Sequence, residues 1–584
     1  MSRVSSATKG GSMFDLVVRG GQLIDGTGGE PFSADVGITD GRIAYIGSDA
    51  DPGRDEVDAQ GRLVTPGFID VHSHLDGNAT FESRLKPNSG HGVTSTVIGN
   101  CGVGFAPCRP EHRAFQVALM EGVEDVPASL LNAAITWRWQ SYPEFLDVLA
   151  GRRYDMNVAG LVPHSCLRTW VMGERAIAGE PATDADLKAI RSLVREAMQA
   201  GAVGVASTRL VGQKTLDGIH CPSLGADFQE YLAIAEAMAS VGEGVLQIAP
   251  EFNQFPRALE ELQMMLDVVE RSGVRLTYSL KQTNTHPDGW RELLDMTAAA
   301  QVRGARVAPQ VLARPTGAII SWECSFHPFA RCAAYAPLSE LPLTERLNAL
   351  KRPDTRHQLL DEAQRLRQAA PERYQRQQQL LFPVGSEVDY EPTPEQSVSA
   401  IAERTGQSAI EVIYDSLLAH NGKGCLLMTS GNYAQFSLEP AREMLAFAGA
   451  IPGLGDAGAH SSVICDASST TYMLSYWTRD RTLGPRFSVS EIVRKMTDDC
   501  AEFFGFKDRG RLEVGMVADI NVLDYEKLRL LPPQMTYDLP AGGRRLVQKS
   551  EGYDATIVAG QIVHRFDQQT SALSGRLLKA RSST

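Results

Sequence analysis

Two histidines one residue apart, His72 and His74, end an apolar run that starts at a Pro-Gly break: Pro66-Gly-Phe-Ile-Asp-Val-His-Ser-His-Leu-Asp76. Phe68, Ile69 and Val71 read as a buried strand, and strand side chains alternate faces, so His72 and His74 point the same way. Two neutral imidazoles on one side of a strand end can hold a divalent metal. Asp70 and Asp76 flank the pair, which separates it from a chance His-x-His in a polar loop. Cys101 follows within Gly99-Asn-Cys-Gly-Val-Gly, and Asp456 lies within Gly453-Leu-Gly-Asp-Ala-Gly-Ala-His460. Glycines at both places permit sharp turns and close approach to a ligand. Two imidazoles, a thiolate and a carboxylate suit zinc. Asp456 could bind that metal or carry a proton from metal-bound water to a leaving amine. The plainer readings are an Asx-turn cap for Asp456 and a buried structural thiol for Cys101.

The remaining candidates are polar groups near other strand ends. His164 could orient substrate or satisfy the core. Lys281 could pair with a substrate carboxylate or with a neighbouring acid, and a carbamate on it would be a metal ligand. Arg168 or Arg314 could hold a substrate carboxylate bidentately. Gln247 and His460 complete the set.

These residues need a scaffold, and the chain alternates strand and helix as a parallel α/β fold does. After the His-x-His run come apolar strands near Ser95, Asn157, Ala202, Gly244, Arg275, Arg306 and Ala448. Helical spacing fills stretches such as Asp184–Ala200 and Pro256–Ser272 between them. Eight such units predict a (β/α)₈ TIM-type barrel over 66–320 and 444–509, whose reactive groups gather at the C-terminal strand ends. No Gly-x-Gly-x-x-Gly follows the first strand, which argues against a doubly wound sheet. Residues 321–443 form an insertion between strands 7 and 8, its Gln-rich helical part serving as a cap. Short strands and Gly turns over 13–65 return over 510–570, in Gly515-Met-Val-Ala-Asp-Ile-Asn-Val-Leu-Asp524 and Tyr553–His564. They predict one small β-sandwich domain assembled from both termini, with a leader at 1–12 and a tail at 571–584.

Composition narrows the function classes. Of 584 residues, 43% are hydrophobic and 22% charged, enough apolar mass for a large core. The net charge of -13 argues against a nucleic-acid partner, which calls for a basic patch. No apolar run reaches the length needed to span a bilayer, and the first residues lack an apolar signal core. The 9 cysteines are scattered without Cys-x-x-Cys pairs, so reduced thiols and a cytoplasmic location are expected.

The order of these parts resembles the amidohydrolase superfamily. More narrowly, His91-Gly-Val-Thr-Ser-Thr-Val-Ile-Gly-Asn-Cys-Gly-Val-Gly-Phe-Ala-Pro107 is similar to the N-acyl-D-amino-acid deacylase (D-aminoacylase) branch. The resemblance implies zinc-dependent hydrolysis of an acyl-amide C–N bond, with zinc on His72, His74 and Cys101 and the acid/base role on Asp456. That branch also places a metal-binding histidine on each of strands 5 and 6. Here the corresponding stretches, Val245-Leu-Gln-Ile-Ala-Pro-Glu251 and Tyr278-Ser-Leu-Lys-Gln-Thr283, hold none. One zinc per chain is therefore expected, with two left open. The expected partner is a small-molecule amide, and a homo-oligomer is left open. The rival readings are a hydrolase of a cyclic amide, carbamate or lactone with the same centre, a Schiff-base aldolase built on Lys281, and a binding or scaffold protein with a decayed metal site.

Overall fold

The computed structural model describes residues 13–369, 371–385 and 388–580, so the expected leader lies outside the described residues. Eight strands carry the site: Phe68–Asp70 (β1), Val93–Ile98 (β2), Asn157–Pro163 (β3), Gly204–Thr208 (β4), Val245–Ala249 (β5), Arg275–Leu280 (β6), Val307–Val311 (β7) and Ile451–Pro452 (β8). They hydrogen-bond in parallel and in sequence order. The ring comes round where Ser73, just past β1, pairs in parallel with Ala457, just past β8. This is the expected TIM-type barrel.

Strands buried on both faces read as continuous apolar runs, and every residue of β3, β4, β5 and β7 is buried. The intervening helices bury one stripe each. In helix Asp184–Ala200 that stripe includes Ile190, Val194 and Ala197. Thr183 and Asp186 form its capping box, and Gly201, at φ 117°, ends it in a conformation that disfavours other residues. Full burial of Ile190 and Val194 stabilises this contact by about 1.5–3 kcal/mol each.

Both ends of the chain build one nine-stranded sheet. Its path runs from Gln561–Arg565 and Tyr553–Val558 through Ile520–Leu523 and Leu63–Pro66 to Phe14–Leu23, Phe32–Thr39 and Arg42–Gly47. Leu16, Val36, Ile43, Ile520 and Ile557 form its own core. Within the stretch expected as a tail, Leu577 and Leu578 pair in parallel with Val158 and Ala159 at the start of β3.

Between β7 and β8 lies a subdomain with a separate core around Trp322, Phe329, Ile413 and Tyr414. Its three-stranded antiparallel sheet starts at Thr316, ahead of the expected boundary at 321, because Thr316–Ile320 pairs with Leu426–Gly431. Thr316, Gly317 and Ser430 from this sheet line the cleft at the barrel mouth.

Candidate metal and catalytic site

The ladder of β1 ends at Asp70, so His72 and His74 lie just past it in extended chain. Backbone hydrogen bonds still fix them. His74 N–H donates to Ala457 O at 2.7 Å, and Asp456 N–H donates to His72 O at 3.0 Å. These bonds join the His-x-His segment to the loop after β8. Asp70 Oδ1 accepts from His72 N–H at 3.0 Å.

Cys101 reaches the same point through a tight turn after β2. Gly99 has φ 86°, and a Cβ there would sit 2.2 Å from the Leu161 carbonyl oxygen, so only glycine fits. Cys101 itself has φ 55°, a strained value for a residue with a side chain. Three side chains hold the turn. Asp76 Oδ2 accepts from Gly99 N–H (3.1 Å), Gln247 Oε1 accepts from Cys101 N–H (2.8 Å), and Asn100 Nδ2 donates to Ser73 O (3.2 Å).

The ligating atoms of His72, His74 and Cys101 lie within 4.8 Å of one another, all buried. Cys101 Sγ is 3.3 Å from His72 Nε2. Asp456 Oδ1 is 3.3 Å from His72 Nε2 and 3.7 Å from His74 Nε2. That oxygen is buried and accepts no hydrogen bond. Thiolate, two imidazoles and a carboxylate oxygen converging on one point fit a divalent ion of the zinc type. The other ring nitrogens face fixed partners: His72 Nδ1 lies 2.5 Å from Gln310 Oε1, and His74 Nδ1 lies 3.3 Å from Glu124 Oε1.

Proton affinities follow from this crowding. Burial would push His72 towards its neutral form, but Cys101 and Asp456 outweigh it and raise it to about 9. Burial also opposes ionisation of Cys101 and Asp456, yet the imidazoles prevail: the Cys101 thiol is held below its usual value and Asp456 falls to about 2.

These residues open onto a cleft of about 270 Å³. His72, His74, Cys101, Lys281, Asp456 and His460 all line it. Lys281 is partly accessible, and its desolvation lowers its proton affinity against the pull of Glu251 and Asp456.

Four expected site residues do not line the cleft. Arg168 is fully buried and pairs with Glu230, and His164 is held between Ser207 Oγ (2.9 Å) and Glu230 Oε1 (2.8 Å). Arg314 is fully buried, with Nε donating to Asp466 Oδ1 at 2.9 Å and its guanidinium stacked on Tyr390. Neither guanidinium is free to clamp a substrate carboxylate, because each is spent on an internal acid. Gln247 lies beneath the Cys101 turn rather than in the cleft. In return the structure adds residues that the sequence did not single out. Ser279 lines the cleft from β6, and strand alternation from Lys281 could have located it. Glu124 also lines it, from the end of helix Arg113–Glu124, where no spacing signal marks it.

Comparison with known proteins bears on the family and the fold. The profile of the Amidohydrolase family matches residues 55–564. An uncharacterized protein of Mycobacterium tuberculosis is 28% identical over 602 residues, covering 95% of this chain and 92% of its own. The D-aminoacylase of Alcaligenes xylosoxydans xylosoxydans is 36% identical over 195 residues, 33% of this chain and 37% of its own. Among solved structures, an N-acyl-D-glutamate deacylase from Bordetella bronchiseptica, complexed with zinc and a phosphonate inhibitor, superposes with a TM-score of 0.65 at 23% identity, covering 97% of this chain and 100% of that one.

Proposed function

Because the chain belongs to the amidohydrolase family, we propose that it is a metal-dependent hydrolase that cleaves the C–N bond of an N-acyl amino acid or a similar amide, using one zinc held by His72, His74 and Cys101. The convergence of those three ligands beneath Asp456 carries the reading. The relatives named for deacylation of N-acyl-D-amino acids support an acyl-amide substrate with a D-configured amine part.

When bound, zinc supplies a Lewis acid and a water acidified towards neutrality. The chain's own groups do the rest. Asp456 enters as the carboxylate, takes a proton from the attacking water at Oδ1, and returns it to the leaving nitrogen. Lys281, facing the cleft, takes the substrate's carboxylate. Leu210, Phe252 and Leu312 line the cleft beside it and receive apolar parts of the substrate.

A single metal is supported by β5 and β6. The strand-5 position holds Gln247, whose Oε1 already accepts the Cys101 N–H, and β6 turns Ser279 and Lys281 towards the cleft. None of the three is a good zinc ligand.

Elemental analysis after chelator-free purification, alongside amine release from a panel of N-acyl-D- and N-acyl-L-amino acids, tests the reading. About one zinc per chain and turnover confined to the D-series is the expected result, with both lost in Cys101→Ala. A chain that holds no metal and cleaves no amide overturns it.

A further inference from the structure

Glu124 is an expensive residue to place where it is. It is 2% exposed and closes a helix at the end where the backbone dipole disfavours a negative charge. Burying a carboxylate there is costly unless it is paired, yet no Lys or Arg pairs with it among the described residues. Its ion-pair contacts are both imidazoles. Oε1 lies 3.3 Å from His74 Nδ1, and Oε2 lies 3.8 Å from His460 Nε2 at the cleft wall. Its backbone carbonyl also accepts the N–H of His460. The His74 approach is a close contact rather than an aligned hydrogen bond: both atoms are buried without a hydrogen-bond partner.

We propose that Glu124 is a positioning residue: it fixes the His74 ring with Nε2 towards the cleft and Nδ1 towards the carboxylate, and ties that ring to the loop bearing Asp456 through His460. A carboxylate behind a metal-bound imidazole sets its tautomer and strengthens it as a donor. His72 has a neutral amide, Gln310, in the equivalent place, so the two imidazoles are supported unequally and His74 is the stronger donor of the two. This inference rests on the metal-site reading given above.

The test compares wild type, Glu124→Gln and Glu124→Asp as full chains. Zinc affinity is measured by chelator competition, and the visible absorption of the cobalt-loaded protein reports ligand geometry. Glu124→Gln keeps the shape and removes the charge, so it should fold and melt like wild type, bind zinc about 10–100-fold more weakly, and show an altered cobalt spectrum. Glu124→Asp should recover part of the affinity, and the activity loss should fall on kcat more than on KM. Unchanged zinc affinity and an unchanged cobalt spectrum in Glu124→Gln would overturn the inference while leaving the metal centre standing. Wild-type protein that binds neither ion would overturn both.

Discussion

Nδ1 of His72 lies 2.5 Å from Oε1 of Gln310, at the C-terminal half of strand β7. An amide oxygen can only accept, so in its neutral, metal-binding form the ring carries its proton on Nδ1 and offers Nε2 to the cleft. Gln310→Leu removes that acceptor at similar volume. Zinc affinity should fall about 10–100-fold with little change in the far-ultraviolet spectrum; an unaltered affinity would show that the tautomer is set elsewhere.

The same ring predicts how metal binding responds to acid. His72 holds its proton up to about 9, and His74 is also raised above its usual value, so protons compete with the metal throughout the neutral range. Raising the pH removes the competitor. Apparent zinc affinity should therefore climb at least roughly tenfold per pH unit between about pH 6 and 8. Competition titrations with a chelator of known pH dependence measure this, and a flat profile would mean that the imidazoles are already neutral.

Asp456 separates chemistry from metal binding. The Asn variant keeps the side-chain shape and the loop that donates Asp456 N–H to His72 O. It loses the group that takes and returns the proton, which should cost about 10²–10⁴-fold in kcat. Zinc content should stay near wild type because His72, His74 and Cys101 remain. Turnover within a few-fold of wild type would remove Asp456 from the mechanism.

A stability prediction comes from Asp70. Burial raises its carboxyl to about 6, against the His72 N–H and the Asn88 amide that favour the ionised form. A carboxyl that binds its proton more tightly when folded favours folding fully below the unfolded value near 4, and that contribution is lost as pH rises through about 6. Asp70→Asn has no charge to bury, keeps an acceptor for His72 N–H, and lets Asn88 turn its unpaired Oδ1 towards the new amide. The variant should be more stable to chemical denaturation than wild type at pH 8, by at most about 3 kcal/mol, with the gap closing below about pH 4. An equal gap at both ends would assign the effect to packing.

What the sequence disclosed divides by range. His72, His74, Cys101 and Asp456 were legible because each sits in a local pattern, a strand end or a glycine turn, that brings it to the barrel mouth without help. The barrel was legible for the same reason, since its strands and helices alternate along the chain. Arg168 and Arg314 were misread because their counter-charges, Glu230 and Asp466, lie 62 and 152 residues further on. A guanidinium bound to an internal acid looks the same in sequence as one free to meet a substrate. Glu124 was invisible for the converse reason: only the folded chain brings that helix end against His74.

The sheet shared by both termini governs when the centre can become complete. Ile520–Leu523 pairs with Leu63–Pro66, and two residues beyond Pro66 the chain enters β1 and the histidines. A ribosome releases the histidines early and the strand that anchors their approach some 450 residues later, so the segment leading into β1, paired on one side with Phe14–Leu23, keeps its other edge open until then. Nascent chains halted before Ile520 would carry all four of His72, His74, Cys101 and Asp456 but lack the clasp on the segment that leads into them.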